Sequence, residues 1–152
     1  MSFLQDHPVW LERAYAATEG GLRPFRRWLR RGGWIEQALI AGEELGKGVV
    51  FDCRMCGSCV LHSTGMTCPM TCPKNMRNGP CGGVQQDGRC EILRERPCIW
   101  VQAWSRSEDM PHYGAEVLTV LPPLDQRLQG GSAWIHEFEG LASEKPAGWQ
   151  RP

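Results

Sequence analysis

All eight cysteines of this chain lie between Cys53 and Cys98. That window is 46 residues long, and the flanks of 52 and 54 residues hold none. The window also contains six Gly and four Pro, but only five residues of the Val, Leu, Ile, Phe and Trp class: Val60, Leu61, Val84, Ile92 and Leu93. Ordering the backbone costs about 1–2 kcal/mol per residue. Burying one large apolar side chain returns about 1.5–3 kcal/mol. Burial of the window's own side chains therefore cannot hold it. Metal–thiolate bonds can, because binding free energy at such sites becomes folding free energy.

The residues from Met1 to Trp10 form neither a basic n-region nor an apolar h-region, so the expected location is the reducing cytoplasm. There, clustered thiols are more often metal ligands or redox groups than disulfides. No run approaches the roughly 20 apolar residues that cross a bilayer. At 152 residues the chain is too short for a (β/α)8 barrel, which needs about 250. It also carries no glycine-rich dinucleotide or phosphate-loop pattern. Zero net charge and a pI near 6.9 argue against a nucleic-acid coat. The one opposing feature is Arg23–Arg31, with five arginines, Phe25, Trp28 and no acid. It reads better as a face for an acidic partner, or for the acidic C-terminal third, than as a nucleic-acid site.

The expected fold is a small, metal-stapled, largely irregular Cys-rich domain with flanking α-helices and little β. We divide it into a helical N-terminal arm (1–49), a Cys-rich metal- or cluster-binding domain (50–104) and a C-terminal docking tail (105–152). In the arm, Trp10, Leu11, Ala14 and Tyr15 predict a helix ended by Gly20-Gly21. A second is expected from Phe25 to Arg31. A third runs from Trp34 to Leu45, stopped by Gly46 and Gly48 before a short apolar run, Val49 to Phe51. Ile99 to Trp104 is a strand or helix against the metal region, and Leu118 to Leu121 is an extended run. Ser132 is an N-cap candidate for a short helix, and the last dozen residues are expected to fray. Trp10, Trp28 and Trp34 are expected on a partner or on the Cys domain, as aromatics are enriched at interfaces.

The cysteines are spaced C-x2-C-x2-C-x8-C-x3-C-x8-C-x8-C-x7-C. Two successive C-x2-C steps at Cys53, Cys56 and Cys59 turn three thiolates toward one object. This is the way ferredoxin-like loops hold an iron–sulfur cubane. A zinc site usually draws two ligands from each of two knuckles, and no second C-x2-C pair stands elsewhere. Cys68-Pro69 and Cys72-Pro73 lead the chain away from a metal, since proline fixes the turn. Asn78-Gly79-Pro80-Cys81-Gly82-Gly83 lets backbone N–H groups approach a thiolate. Cys90 and Cys98 complete two sets of four. These suffice for two [4Fe-4S] clusters, or for one cluster and one zinc site, and spacing alone assigns no cysteine to either. His62 reads as a hydrogen-bonding loop residue rather than a ligand, and His7, His112 and His136 as surface or packing residues. No catalytic residue is expected.

These blocks resemble a known family. Phe51-Asp52-Cys53-x2-Cys56-Gly57-x-Cys59, Gly65-Met66-x-Cys68-Pro69-Met70-x-Cys72-Pro73-Lys74, Arg77 to Val84, Cys90-Glu91 and Cys98-Ile99-Trp100-Val101 look like the methylenetetrahydrofolate reductase C-terminal-like family. The resemblance spans about 48–135, including Leu121-Pro122-Pro123-x-Asp125-x2-Leu128. It implies an iron–sulfur accessory subunit, with zinc as a further metal, beside the flavin-containing methylenetetrahydrofolate reductase barrel. Such a subunit would pass electrons toward the partner's flavin and brace that subunit in folate one-carbon metabolism. The alternative is a zinc-stapled binding module with no redox role.

Overall fold

The computed structural model describes residues 3–144, with roughly half of them in α- or 3-10 helix. Among the described residues no strand forms, and the one bridge joins Arg89 and Pro97. Four α-helices frame the Cys window: α1 (Pro8–Leu22), α2 (Trp34–Phe51), α3 (Ile99–Glu108) and α4 (Ala133–Phe138). The window itself holds two single 3-10 turns and otherwise irregular chain. No helix of the described residues is long and apolar enough to cross a membrane.

Glycine proves a weaker stop than expected in the N-terminal half. α1 runs through Gly20-Gly21 and yields at Leu22, where the next residues, Arg23–Phe25, tighten into a 3-10 turn around Pro24. Each interior glycine costs about 1 kcal/mol against alanine. Tertiary contacts of Leu11 and Tyr15 outweigh that cost. Proline, which has no N–H to give, is the effective stop. The helix expected from Phe25 to Arg31 does not form beyond that turn. α2 likewise continues through Gly46 and Gly48, so Val49 to Phe51 is its last turn rather than an extended run. It ends at Asp52, which adopts the left-handed conformation (φ 52°). The Asp52 N–H donates to Gly48 O and the Cys53 N–H to Lys47 O, a Schellman-type stop that delivers the chain directly into the first cysteine.

Ile99–Glu108 is a helix, and Cys98 stands at its N-cap. Its inner face is Trp100, Ala103, Arg106 and Ser107. Gly65 (φ +57°) lies against that face, where any side chain would overlap the Ala103 carbonyl. Leu118 closes a 3-10 turn that begins at Gly114, and the chain from Thr119 to Pro123 is extended. Ser132 caps α4 as expected, its hydroxyl accepting from the Ile135 N–H at 3.4 Å. Leu141–Ser143 form one more 3-10 turn, and residues 145–152 lie outside the described residues.

Two small cores result. Leu61, Met66 and Met110 form one, with Leu11, Tyr15, Phe51, Cys59 and Cys68 packed on it. Cys98, Trp100 and Ala103 form the other, with Met76 and Val84. The flanks and the methionines thus supply the apolar cover that the window lacks. Trp10, Trp28 and Trp34 stay largely exposed, whereas Trp100 and Trp134 are buried.

One buried carboxylate joins α1 to the chain after α3. Glu12, fully buried, accepts from the His112 and Tyr113 amides through Oε1 at 3.0 and 2.8 Å. Its Oε2 has no hydrogen-bond partner among the described residues. Removing the acceptor strands two amides, at about 1–3 kcal/mol for each buried unsatisfied group. Glu12→Ala is expected to destabilise the chain by about 2–3 kcal/mol in denaturant titration. A loss under about 0.5 kcal/mol, the surface-substitution range, would contradict this role.

Candidate metal centre

The eight cysteines, all free thiols, separate in space into two sets of four. Cys53, Cys56, Cys59 and Cys68 line one cavity of about 30 Å³. Cys72, Cys81, Cys90 and Cys98 line a second of the same volume. The division falls between the two Cys-Pro steps, which the sequence left unassigned. Among the described residues, no three His, Cys, Asp or Glu side chains gather as tightly as a single bound ion requires.

The first set is built by a coiled loop and held by the tail. Asp52, Met55 and Gly57 are all left-handed, so the chain turns sharply between Cys53 and Cys59. The Met55 N–H donates to Cys53 Sγ at 3.4 Å. The Leu61 and Met70 amides favour the thiolate forms of Cys59 and Cys68. Amides of this kind, two residues on from the sulfur, tune an iron–sulfur potential. Cys56 instead donates to Ser58 O at 3.7 Å. The tail seals the loop from outside. Gly130 N–H donates to Met55 O at 2.8 Å, and His136 Nδ1 to Gly57 O at 2.7 Å, which places that ring's proton on Nδ1. Gly57 (φ +72°) lies so close to the Leu128 carbonyl that any Cβ would overlap it.

Arg77 and Asn78 clamp the window to the tail from the other side. Asn78 pairs with the Leu121 backbone both ways, at 2.8 Å each. Arg77 donates to Pro122 O and to Ser58 Oγ, both at 2.9 Å. Gly79 is left-handed (φ +103°), but Gly82 and Gly83 are not, so the expected nest reduces to one turn. The Glu91 carboxylate fills the space beside Gly83, pairs with Lys74 and accepts from the Cys81 thiol at 3.7 Å. Trp100, whose indole N–H donates to Met76 O at 2.8 Å, closes the apolar side.

His62 is a hydrogen-bonding residue, as expected, its Nδ1 lying 2.5 Å from Glu116 Oε2. His7 stacks on Trp10 and His112 is exposed. Three contributors were missed in the sequence. Lys47 and Glu43 line the first cavity from α2, and His136 braces its loop. An i, i+4 Glu-Lys pair on a helix ordinarily means a solvated face. Only the helix running on through Gly46 and Gly48 brings this pair inside.

With this geometry in view, one family description matches: methylene-tetrahydrofolate reductase C terminal, over residues 34–127. The chain belongs to that family. The match opens on Trp34, at the start of α2, rather than near residue 48, so α2 lies within the matched stretch. Arg23–Arg31 precedes it. No curated protein and no solved structure matches the chain.

The donor chemistry fits an iron–sulfur cluster: each set has four thiols and apolar walls, and the first adds a backbone N–H donor at Cys53 and the cations Lys47 and Arg77. Burial pushes the Cys68 thiol up to about 12, and raises Cys53 and Cys59. These thiols therefore hold their protons throughout the neutral range, and a thiolate-bound metal must displace them. Its hold strengthens as pH rises. In a chelator challenge from about pH 9 down to about pH 6, loss of metal is expected to accelerate at each lower pH. A pH-independent loss would contradict the proton competition.

Proposed function

We propose that this chain is the iron–sulfur accessory subunit of a methylenetetrahydrofolate reductase, passing electrons toward the flavin of a barrel subunit and bracing it. The carrying observation is the partition of eight thiols into two four-cysteine cavities within a domain of this family. In this reading Cys53, Cys56, Cys59 and Cys68 hold one [4Fe-4S] cluster, and Cys72, Cys81, Cys90 and Cys98 the other. A bound [4Fe-4S] cluster supplies reversible one-electron chemistry. Four thiols spread around a cavity suit a many-atom cluster better than one zinc ion, whose thiolates sit about 2.3 Å from a single centre.

The chain's own residues set the conditions for that chemistry. The Met55, Leu61 and Met70 amides stabilise charge on sulfur. Leu128, Gly130 and His136 hold the first loop against the tail and keep water from that side. The reaction balances when a low-potential one-electron donor protein gives two electrons in turn, and the partner's oxidised flavin takes both with a proton. The cytoplasm, where such donors and free thiols persist, is the compartment this reading requires.

Anaerobically purified chain is expected to be brown, to absorb near about 400 nm, and to bleach with dithionite. Once reduced, it should bleach the flavin of an added methylenetetrahydrofolate reductase barrel. A colourless protein containing zinc and no sulfide would overturn the redox role in favour of a structural module. A brown protein that leaves the flavin oxidised would overturn the partner.

A further inference from the structure

The two cavities differ in the charge that surrounds them. The first is lined by a buried cation, Arg77 in the window, and by a largely covered one, Lys47 on α2. Arg77 donates to neutral acceptors, the Ser58 hydroxyl and the Ser58 and Pro122 carbonyls. Its charge is therefore not cancelled. Lys47 Nζ is pinned 2.6 Å from Glu43 Oε2 and 5.4 Å above the Trp134 ring.

That ion pair is not neutral as seen from the sulfurs. The Glu43 carboxylate turns toward the start of α4, where it accepts from the Ser132 hydroxyl at 2.5 Å and from the Ala133 and Trp134 amides at 3.2 and 3.4 Å. Lys47 lines the cavity on whose wall the four thiols of the first set lie. With little water nearby to screen it, such a charge acts at a low effective dielectric. Among the described residues, the second cavity has no buried cation. Lys74 is exposed and paired with Glu91, whose carboxylate also faces the Cys81 thiol, and Arg96 is exposed. Water screens charges of that kind.

We infer that Lys47 is a positioning residue for redox chemistry: its largely covered ammonium makes the Cys53/Cys56/Cys59/Cys68 site the higher-potential of the two. Adding an electron to a site beside a fixed positive charge is favoured, and the second site has no equivalent charge. The two sites are then ordered, with the first as the place where an electron comes to rest inside the chain. This inference rests on the two-cluster reading above.

The test is an anaerobic potentiometric titration of the iron-loaded chain, followed by electron paramagnetic resonance. The wild-type chain is expected to show two components with separate midpoints. Lys47→Met should shift the higher midpoint downward and leave the lower in place, and Lys47→Arg, which keeps the charge, should restore it. Lys74→Met should move neither comparably. A chain carrying Cys90→Ser, which removes a ligand of the second set only, should retain the higher component. That arm reads the order of the sites even if Lys47→Met does not load. Coincident midpoints, a higher midpoint indifferent to Lys47→Met, or survival of the lower component in Cys90→Ser would each overturn the inference while leaving the clusters in place. A wild-type chain without iron and sulfide would overturn the cluster reading, and this inference with it.

Discussion

The Glu43 carboxylate is where the two flanks meet across the Cys window. It is buried on α2, neutralised by Lys47 one turn later, and bound by the hydroxyl of Ser132 and by two amides at the start of α4. A buried carboxylate is tolerable only with such partners. The consequence is geometric. α4 cannot leave α2 without stranding a charge, so the loop from Leu128 to Gly131 stays over Met55 and Gly57 and the first cavity stays closed. Without that contact the C-x2-C-x2-C loop would have three left-handed residues and little to hold them. Left-handed backbone at Met55 costs of order 1–3 kcal/mol and persists only when its surroundings over-determine it.

The second half of the window depends on the same tail by a different route. Asn78 and Arg77 grip Leu121 and Pro122, and Trp100 reaches back to the Met76 carbonyl. α1 is tied in at Glu12. A chain whose middle is poor in apolar residues is thus wrapped by its two ends through buried polar contacts. The thiols lie on the inner surface of that wrapping. Two of them, Cys59 and Cys68, pack on one core, and Cys98 belongs to the other.

Much of this was legible in the residues. The irregular, glycine- and proline-rich window between helices, the Ser132 cap and the hydrogen-bonding role of His62 follow from local chemistry, and the family follows from the Cys-Pro and Asn78-Gly79-Pro80-Cys81 blocks. The helix boundaries did not follow, because tertiary packing outweighed the cost of Gly20, Gly21, Gly46 and Gly48. The partition of the cysteines was also out of reach. Cys68 and Cys72 stand only four residues apart and line different cavities, a separation made by the proline-led turn between them and invisible to spacing counts. The inward-facing Lys47 depended on the true length of α2.

The central claim is that the two sets of four thiols are separate cluster sites. It is tested most directly by counting iron and acid-labile sulfide per chain in Cys68→Ser and Cys90→Ser beside the wild type, all purified without oxygen. Two independent [4Fe-4S] sites predict about eight irons in the wild type and about four in either variant. The account would be contradicted by equal iron in all three proteins, or by loss of all iron from a single substitution in chains that keep wild-type helicity.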